Sequence, residues 1–177
     1  MKYFILFLCF WGILTLNSSA QTWIFQSGTV GFTIKNAGLK VNGSFSGLKA
    51  KAEFDPQNPG KTVLEGQVET KTIETGINLR NKHLKKEEYF NVEKFPQINM
   101  KLTRMDGMGN TLKGTFTLEI KGVSKTLTIP VVFQTNASGS VLSTSFTINR
   151  LDFGVGESSW TMADEVQVHI QFQLIKK

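Results

Sequence analysis

The chain is poor in the residues that most often carry chemistry, with one cysteine and two histidines among 177 residues. Cys9 lies in an apolar stretch at the N-terminus, and the bulky Leu8 stands where a lipidation signal needs a small side chain, so lipidation is not expected. No cysteine follows Ala20, which excludes a disulfide framework, thiol catalysis and cysteine-bound metal from everything downstream. His83 and His169 are far apart and neither has a partner at i+3 or i+4, whereas zinc gathers three or four ligands. No metal site and no cofactor are expected. There is also no Gly-x-Ser-x-Gly elbow and no phosphate-cradling glycine loop. The acidic pairs Glu87-Glu88 and Asp164-Glu165 are adjacent, hence poorly placed to work across a substrate. With no catalytic residues to name, the chain does not read as an enzyme.

Lysine and arginine number 20 against 14 acidic residues, a net charge of +6. The basic residues are scattered, with no aromatic-interleaved run of the kind that binds nucleic acid. The excess suits solubility first, and an anionic headgroup or membrane surface second.

Long hydrophobic runs are equally scarce, and the exception is at the start. Met1-Lys2-Tyr3 is a short basic opening, Phe4 to Leu16 is almost wholly apolar, and Asn17-Ser18-Ser19-Ala20 supplies small residues for a peptidase. That layout is a secretory signal. The run is shorter than the roughly 20 residues of a membrane span, and no second run follows, so no stable membrane insertion is expected after cleavage. The expected division is a signal peptide at 1–20 and a single domain at 21–177. Loss of Lys2 lowers the net charge to +5.

From Val30 onward apolar and polar residues alternate, the period of two that puts every second side chain on one face of a strand. The sets are Val30, Phe32, Ile34; Val41, Gly43, Phe45; and, after a bulge or kink at Ser46-Gly47, Leu48, Ala50, Ala52, Phe54. Asp55-Pro56-Gln57-Asn58-Pro59-Gly60 is a turn. Leu64, Gly66, Val68 follow, then Ile98, Met100, Leu102. A turn is expected from Met105 to Asn110, before Leu112 to Ile120. A hairpin at Lys121-Gly122-Val123-Ser124 leads to Leu127 to Phe133, and a loop from Thr135 to Ser140 precedes Leu142 to Ile148. Val166 to Leu174 is the last set. About eight such strands predict an all-β chain, either a closed antiparallel barrel or a sandwich.

Alternation fails only between Thr75 and Phe95, where a short helix capped by Asn78 would carry Leu79, Arg80, His83 and Leu84. Phe95-Pro96 returns the chain to extended structure. Such an excursion suits a lid over one end of a barrel. Fourteen phenylalanines are many for so few strands, and Gly43, Gly66 and Gly114 remove bulk from the inward face. Inward phenylalanine is also ordinary core, and strand glycine also marks curvature. Eight strands stand at the size where an interior is filled by side chains or holds one small ligand.

Arg80-Asn81-Lys82-His83-Leu84, then Glu88-Tyr89-Phe90-Asn91 and Phe95-Pro96, resemble the YceI-like family of bacterial lipid-binding proteins. Val41-Asn42-Gly43-Ser44-Phe45 with Phe54-Asp55, Gly114-Thr115-Phe116-Thr117-Leu118 with Gly122-Val123-Ser124-Lys125, and Arg150-Leu151-Asp152-Phe153-Gly154 with Asp164-Glu165-Val166 agree in the same order. Asn81 replaces the family's usual Asp, Tyr89 the first of a usual aromatic pair, and Asn36 a His found in some members. The resemblance implies an eight-stranded antiparallel lipocalin-like barrel with a short helical excursion over one end, a periplasmic location, and a polyisoprenoid or other long-chain amphiphilic lipid as ligand. On that basis Phe32, Phe45, Phe54, Val68, Met100, Phe116, Leu118 and Phe146 are expected to line a cavity. Arg80, His83, Leu84 and Phe90 are expected on the lid, with Arg80 and His83 meeting the headgroup.

The leading reading is a non-catalytic carrier. An envelope structural or stress-related interaction protein with a solid core is the alternative, and an enzyme acting on a lipid or quinone the second. The residues neither require nor exclude a homodimer.

Overall fold

A computed structural model describes residues 21–109, 111–136 and 139–177 of the chain. The expected signal peptide, residues 1–20, lies outside the described residues.

Nine strands among the described residues form one sheet: β1 (Trp23–Asn36), β2 (Leu39–Phe45), β3 (Lys49–Phe54), β4 (Val63–Glu69), β5 (Gln97–Met108), β6 (Thr111–Ile120), β7 (Val123–Asn136), β8 (Gly139–Asn149) and β9 (Met162–Lys176). Every pairing is antiparallel. The upper half of β1 pairs with β2 (Val30 with Phe45) and its start pairs with β3 (Trp23 with Phe54). β2 and β3 are thus one barrel position interrupted at Ser46–Leu48, the break expected from the phase reset. β1 also pairs along its length with β9, from Trp23 with Lys176 to Asn36 with Met162. This closes an eight-stranded barrel and leaves β2 the one strand with a free side, touched there only by the bridge from Ser44 to Glu74, among the described residues.

The alternating sets face inward, because only one phase of each strand can escape water. Two bulges explain where the sequence misleads. A register shift between Phe25 and Ser27 breaks the alternation of β1, so its first turn of sequence does not look like strand. A second shift, between Leu102 and Arg104, puts Met105 on the inward face, where it is 4% exposed. The turn expected from Met105 is therefore strand as far as Met108.

The two ends of the barrel are built differently. At one end lie the Asp55–Lys61 turn and the hairpins joining β5 to β6 and β7 to β8. There the interior is solid: Trp23, Phe54 and Phe133 pack ring against ring, with centroids 4.8 Å apart for Phe54 and Phe133 and 6.0 Å for Trp23 and Phe133. Leu112 and Leu174 are buried in the same core, and Val131 and Leu142 form its upper boundary against the space above. At the other end lie the β1–β2 and β6–β7 hairpins, the β8–β9 crossover and the long β4–β5 connection with its one α-helix, α1 (Asn78–Leu84).

Both tight hairpins at that end have positive φ at two successive residues, Ala37 (49°) and Gly38 (77°), and Lys121 (51°) and Gly122 (75°). This is the geometry whose twist matches paired strands. Ala37 and Lys121 are the costly members of that set, since their Cβ atoms crowd the following carbonyl, a cost that asparagine bears most easily. Ala37→Asn should stabilise the protein by about 1 kcal/mol, seen as a higher urea midpoint with unchanged slope; a lower midpoint would contradict this conformation of the hairpin tip.

Candidate functional site

Above the aromatic floor the barrel is hollow. A cavity of about 210 Å³ occupies the lid end, many times the roughly 10–15 Å³ one water needs. Its wall is almost all carbon. Val30, Phe32 and Ile34 come from β1, Val68 from β4, Phe116 and Leu118 from β6, and Val166, Val168 and Ile170 from β9. Exposure along β9 marks the change of level: Val166, Val168 and Ile170 are only half-buried though they point inward, whereas Phe172 and Leu174 below them are buried. The upper side chains face space rather than one another.

The glycines of the inward face have different effects. A Cβ at Gly43 would collide with the ring of Phe32, its cross-strand partner, and one at Gly114 with the ring of Phe116. These two glycines are seats for aromatic rings. At Gly66 a Cβ would fit without a clash, in ordinary contact with Leu48 at 3.6 Å and Phe172 at 3.7 Å, on the border of the hollow. Only Gly66 widens the hollow.

The lid is Thr70 to Phe95. Its two ends are tied together by Thr70, fully buried, whose N–H donates to the Pro96 carbonyl at 2.9 Å and whose hydroxyl donates to the Phe95 carbonyl at 2.8 Å. Glu74 pairs with Ser44 of β2 through two backbone bonds. Phe90 reaches down to Phe45, edge to face at 5.7 Å, and with Leu84 packs on Phe45, Val68 and Ile73. The far side is stitched to the β8–β9 crossover, where the Gly156 N–H donates to the Glu88 carbonyl at 2.8 Å.

Asn78 does not cap α1. It is the first helical residue, with Ile77 in the cap position and no side-chain cap bond. The turn before the helix is ordered by buried Asn81, whose carbonyl oxygen accepts from the Thr75 N–H (2.9 Å) and hydroxyl (2.6 Å), and whose amide donates to Glu74 Oε1 at 2.8 Å. The neutral amide standing for the family's usual Asp therefore uses both acceptor sites of its oxygen and one of its two donor hydrogens. That amide, and then the Gly76 N–H, hold the Glu74 carboxyl below its usual range.

The residues expected from sequence divide clearly. Phe32, Phe45, Val68, Met100, Phe116, Leu118 and Phe146 border the hollow, as do Arg80, Leu84 and Phe90 of the lid. Phe54 does not: it is fully buried in the floor against Phe133, one layer too low. His83 does not either. It is exposed on the outer side of α1, its ring 5.0 Å from that of Tyr89. Arg80 donates from Nε to the Thr75 hydroxyl at 2.8 Å and from a terminal nitrogen to the Thr75 carbonyl. One face of its guanidinium thus fastens the lid turn while the residue borders the cavity. His169 is exposed on the outer face of β9, 3.1 Å from the Ser145 hydroxyl. Among the described residues no three His, Cys, Asp or Glu cluster to hold a metal, and no helix is long and apolar enough to cross a membrane.

Sequence reasoning missed Arg150. It is 4% exposed and borders the cavity roof. It donates to the carbonyls of Ala163 (3.0 Å), Val155 (2.8 Å) and Glu157 (2.7 Å) and to Asp164 Oδ1 at 2.7 Å. A planar fork with five donors can satisfy such a set, and an ammonium cannot. Its signal was a charge continuing the inward phase of Phe146 and Ile148.

These features have counterparts in known proteins. A model of the YceI-like domain matches residues 23–174. The chain belongs to the YceI-like family. Protein YceI of Salmonella arizonae is 31% identical over 105 residues, 59% of this chain and 55% of that protein; a UPF0312 protein of Photorhabdus laumondii is 29% identical over 115 residues, 64% and 58%. The chain thus spans under two thirds of the length of these curated relatives. In structure, this YceI-like barrel is similar to BcnA of Burkholderia cenocepacia, with a TM-score of 0.77 at 24% identity over 82% of this chain and 94% of that one. It is also similar to a polyisoprenoid binding domain from Saccharophagus degradans, with a TM-score of 0.66 at 13% identity over 89% and 99%. At such identities the likeness is one of fold.

Arg150→Ala should destabilise the protein by about 3 kcal/mol, since it strands buried carbonyls and a carboxylate. Arg150→Lys should recover only part of this, and a urea midpoint equal to wild type for either would contradict the role. Glu74 supplies a pH test. A carboxylate whose folded pKa is depressed contributes stability above its unfolded value and loses it as pH falls through the folded value. Going from about pH 6 to about pH 3 should lower amide-exchange protection at Thr75 and Asn81; Glu74→Gln should remove that dependence, and constant protection in the wild type would contradict it.

Proposed function

We propose that this chain is a non-catalytic binding protein that takes a polyisoprenoid or similar long-chain amphiphilic lipid into the lid end of its barrel, after export to the periplasm through the 1–20 leader. The observation that carries the reading is the hollow itself: half-buried inward side chains facing apolar space. A well-packed interior has no such space. A void of this kind, walled by carbon, is poor at holding water and good at holding hydrocarbon.

The energetics agree in sign and size. Burying about ten methylenes at about 0.8 kcal/mol each is worth about 8 kcal/mol gross, equivalent to about micromolar affinity before the costs of ordering and association. A longer tail offsets those costs. Binding of this kind needs no reactive group. Arg80, part of whose guanidinium is taken up by Thr75, is the group at the cavity edge suited to an anionic head, and the S. degradans domain, described as polyisoprenoid-binding, supports the ligand class.

Mass spectrometry of an organic extract of the purified protein should reveal a co-purifying prenyl or acyl lipid, and repeated extracts with background alone would count against the carrier. Arg80→Ala should weaken binding of an anionic amphiphile by about tenfold while sparing a headless hydrocarbon; equal losses would leave Arg80 as scaffold only.

A further inference from the structure

Among the described residues, the large apolar side chains left in water are not spread evenly. Leu39 (72% exposed), Ile77, Leu79 (79%), Val123 and Trp160, which is fully exposed, belong to the lid end, while Met108 (83%), Val132 and Ile175 lie toward the floor end. Single exposed apolar residues are ordinary, but a group on one end is not. The pairings bring Leu39 and Trp160 to one side of the cavity rim, and the lid segment that carries Ile77 and Leu79 leaves β2 next to it. Leu39 pairs with Asn36, which borders the cavity together with Met162 opposite it. The Ala37 N–H donates to the Thr161 carbonyl at 2.7 Å, which brings Trp160 to the same hairpin tip. Glu74 pairs antiparallel with Ser44, so the chain from Glu74 toward Ile77 runs along β2 in the direction of Leu39.

Charge on these elements is one-sided. The hairpin from Thr33 to Phe45 and the lid segment from Thr75 to Lys86 contain Lys35, Lys40, Arg80, Lys82, Lys85 and Lys86, and no acidic residue. The acids of this end are Glu74, just before the second of these segments, Glu87, Glu88 and Glu93 in the turns leading to β5, and Asp152, Glu157, Asp164 and Glu165 in or beside the β8–β9 connection. A rim with protruding leucine, isoleucine and tryptophan, set among lysines, has the composition of surfaces that lie in a bilayer interface: apolar side chains enter the acyl boundary, tryptophan sits at headgroup level, and lysines meet anionic lipid.

We propose that this side of the lid end docks on an anionic phospholipid bilayer, with Leu39, Ile77, Leu79 and Trp160 immersed. Docking would place the cavity rim against the source of its ligand, so that a tail could pass from bilayer to barrel without crossing water. The contact itself does not depend on the lipid-carrier reading, since it needs no occupant in the cavity.

The test is flotation of the purified protein with vesicles of phosphatidylcholine alone or mixed with phosphatidylglycerol, alongside uptake of an apolar fluorescent probe in vesicle-free buffer. Wild type should float with the mixed vesicles, less so as salt rises, and scarcely with phosphatidylcholine. The triple variant Leu39→Ser, Leu79→Ser, Trp160→Ser should lose about tenfold or more in partitioning while taking up the probe as wild type does, which also shows that it is folded. Failure of wild type to float, or flotation of the triple variant at the wild-type level, would overturn the proposal. Flotation that responds as expected in a protein that takes up no probe would uphold docking and remove the cavity reading instead.

Discussion

Everything in this structure depends on the closure of β1 against β9. Pairing from Trp23 with Lys176 up to Asn36 with Met162 turns an open sheet into a barrel of fixed circumference, and that circumference sets how much volume the inward side chains must fill. Eight strands give an interior that side chains can fill or leave partly empty. Here the lower half is filled by three aromatic rings and branched aliphatics. The upper half is lined mainly by valine, isoleucine and leucine, with Phe32 and Phe116 drawn back over Gly43 and Gly114. Closure preserves the hollow that these side chains leave, because the wall cannot collapse inward without breaking the ladder.

A hollow with an apolar wall is useful only if its roof is defined. The β4–β5 connection provides one through bonds between its own ends, Thr70 to Phe95 and Pro96, and through Asn81, which ties Thr75 to Glu74. Arg150 does the equivalent for the crossover by gathering three carbonyls and a carboxylate. The roof is therefore polar in its construction and apolar in what it shows to the cavity through Leu84, Phe90, Phe153 and Val155. Polar groups consumed in holding the roof are unavailable to water inside, which keeps the interior a place for hydrocarbon.

Much of this was readable in the residues. One face of every strand is shielded from water, so alternation locates the inward set for Val30 to Ile34, Leu112 to Ile120 and Val166 to Leu174 alike. Bulges defeated that reading at Phe25 and Met105, because one extra residue reverses the phase. Height in the barrel was not readable at all: Phe54 and Phe116 have the same pattern around them, yet the first is floor and the second is cavity wall, a difference set by register across strands far apart in sequence. His83 and Leu84 are neighbours on a helix of two turns, too short for periodicity to say which faces the barrel. Arg150 stood in plain view on an inward phase, but only the fold reveals that its charge is satisfied by carbonyls arriving from the crossover.

The central claim is that the upper half of the barrel admits a hydrocarbon tail and the lower half does not. The most direct measurement is methyl NMR of the protein titrated with a long-chain alcohol. The account predicts saturable shifts at the methyls of Val68, Val166, Val168 and Ile170, with Leu112 and Leu174 unmoved. Shifts confined to outward methyls, or none that saturate, would contradict it.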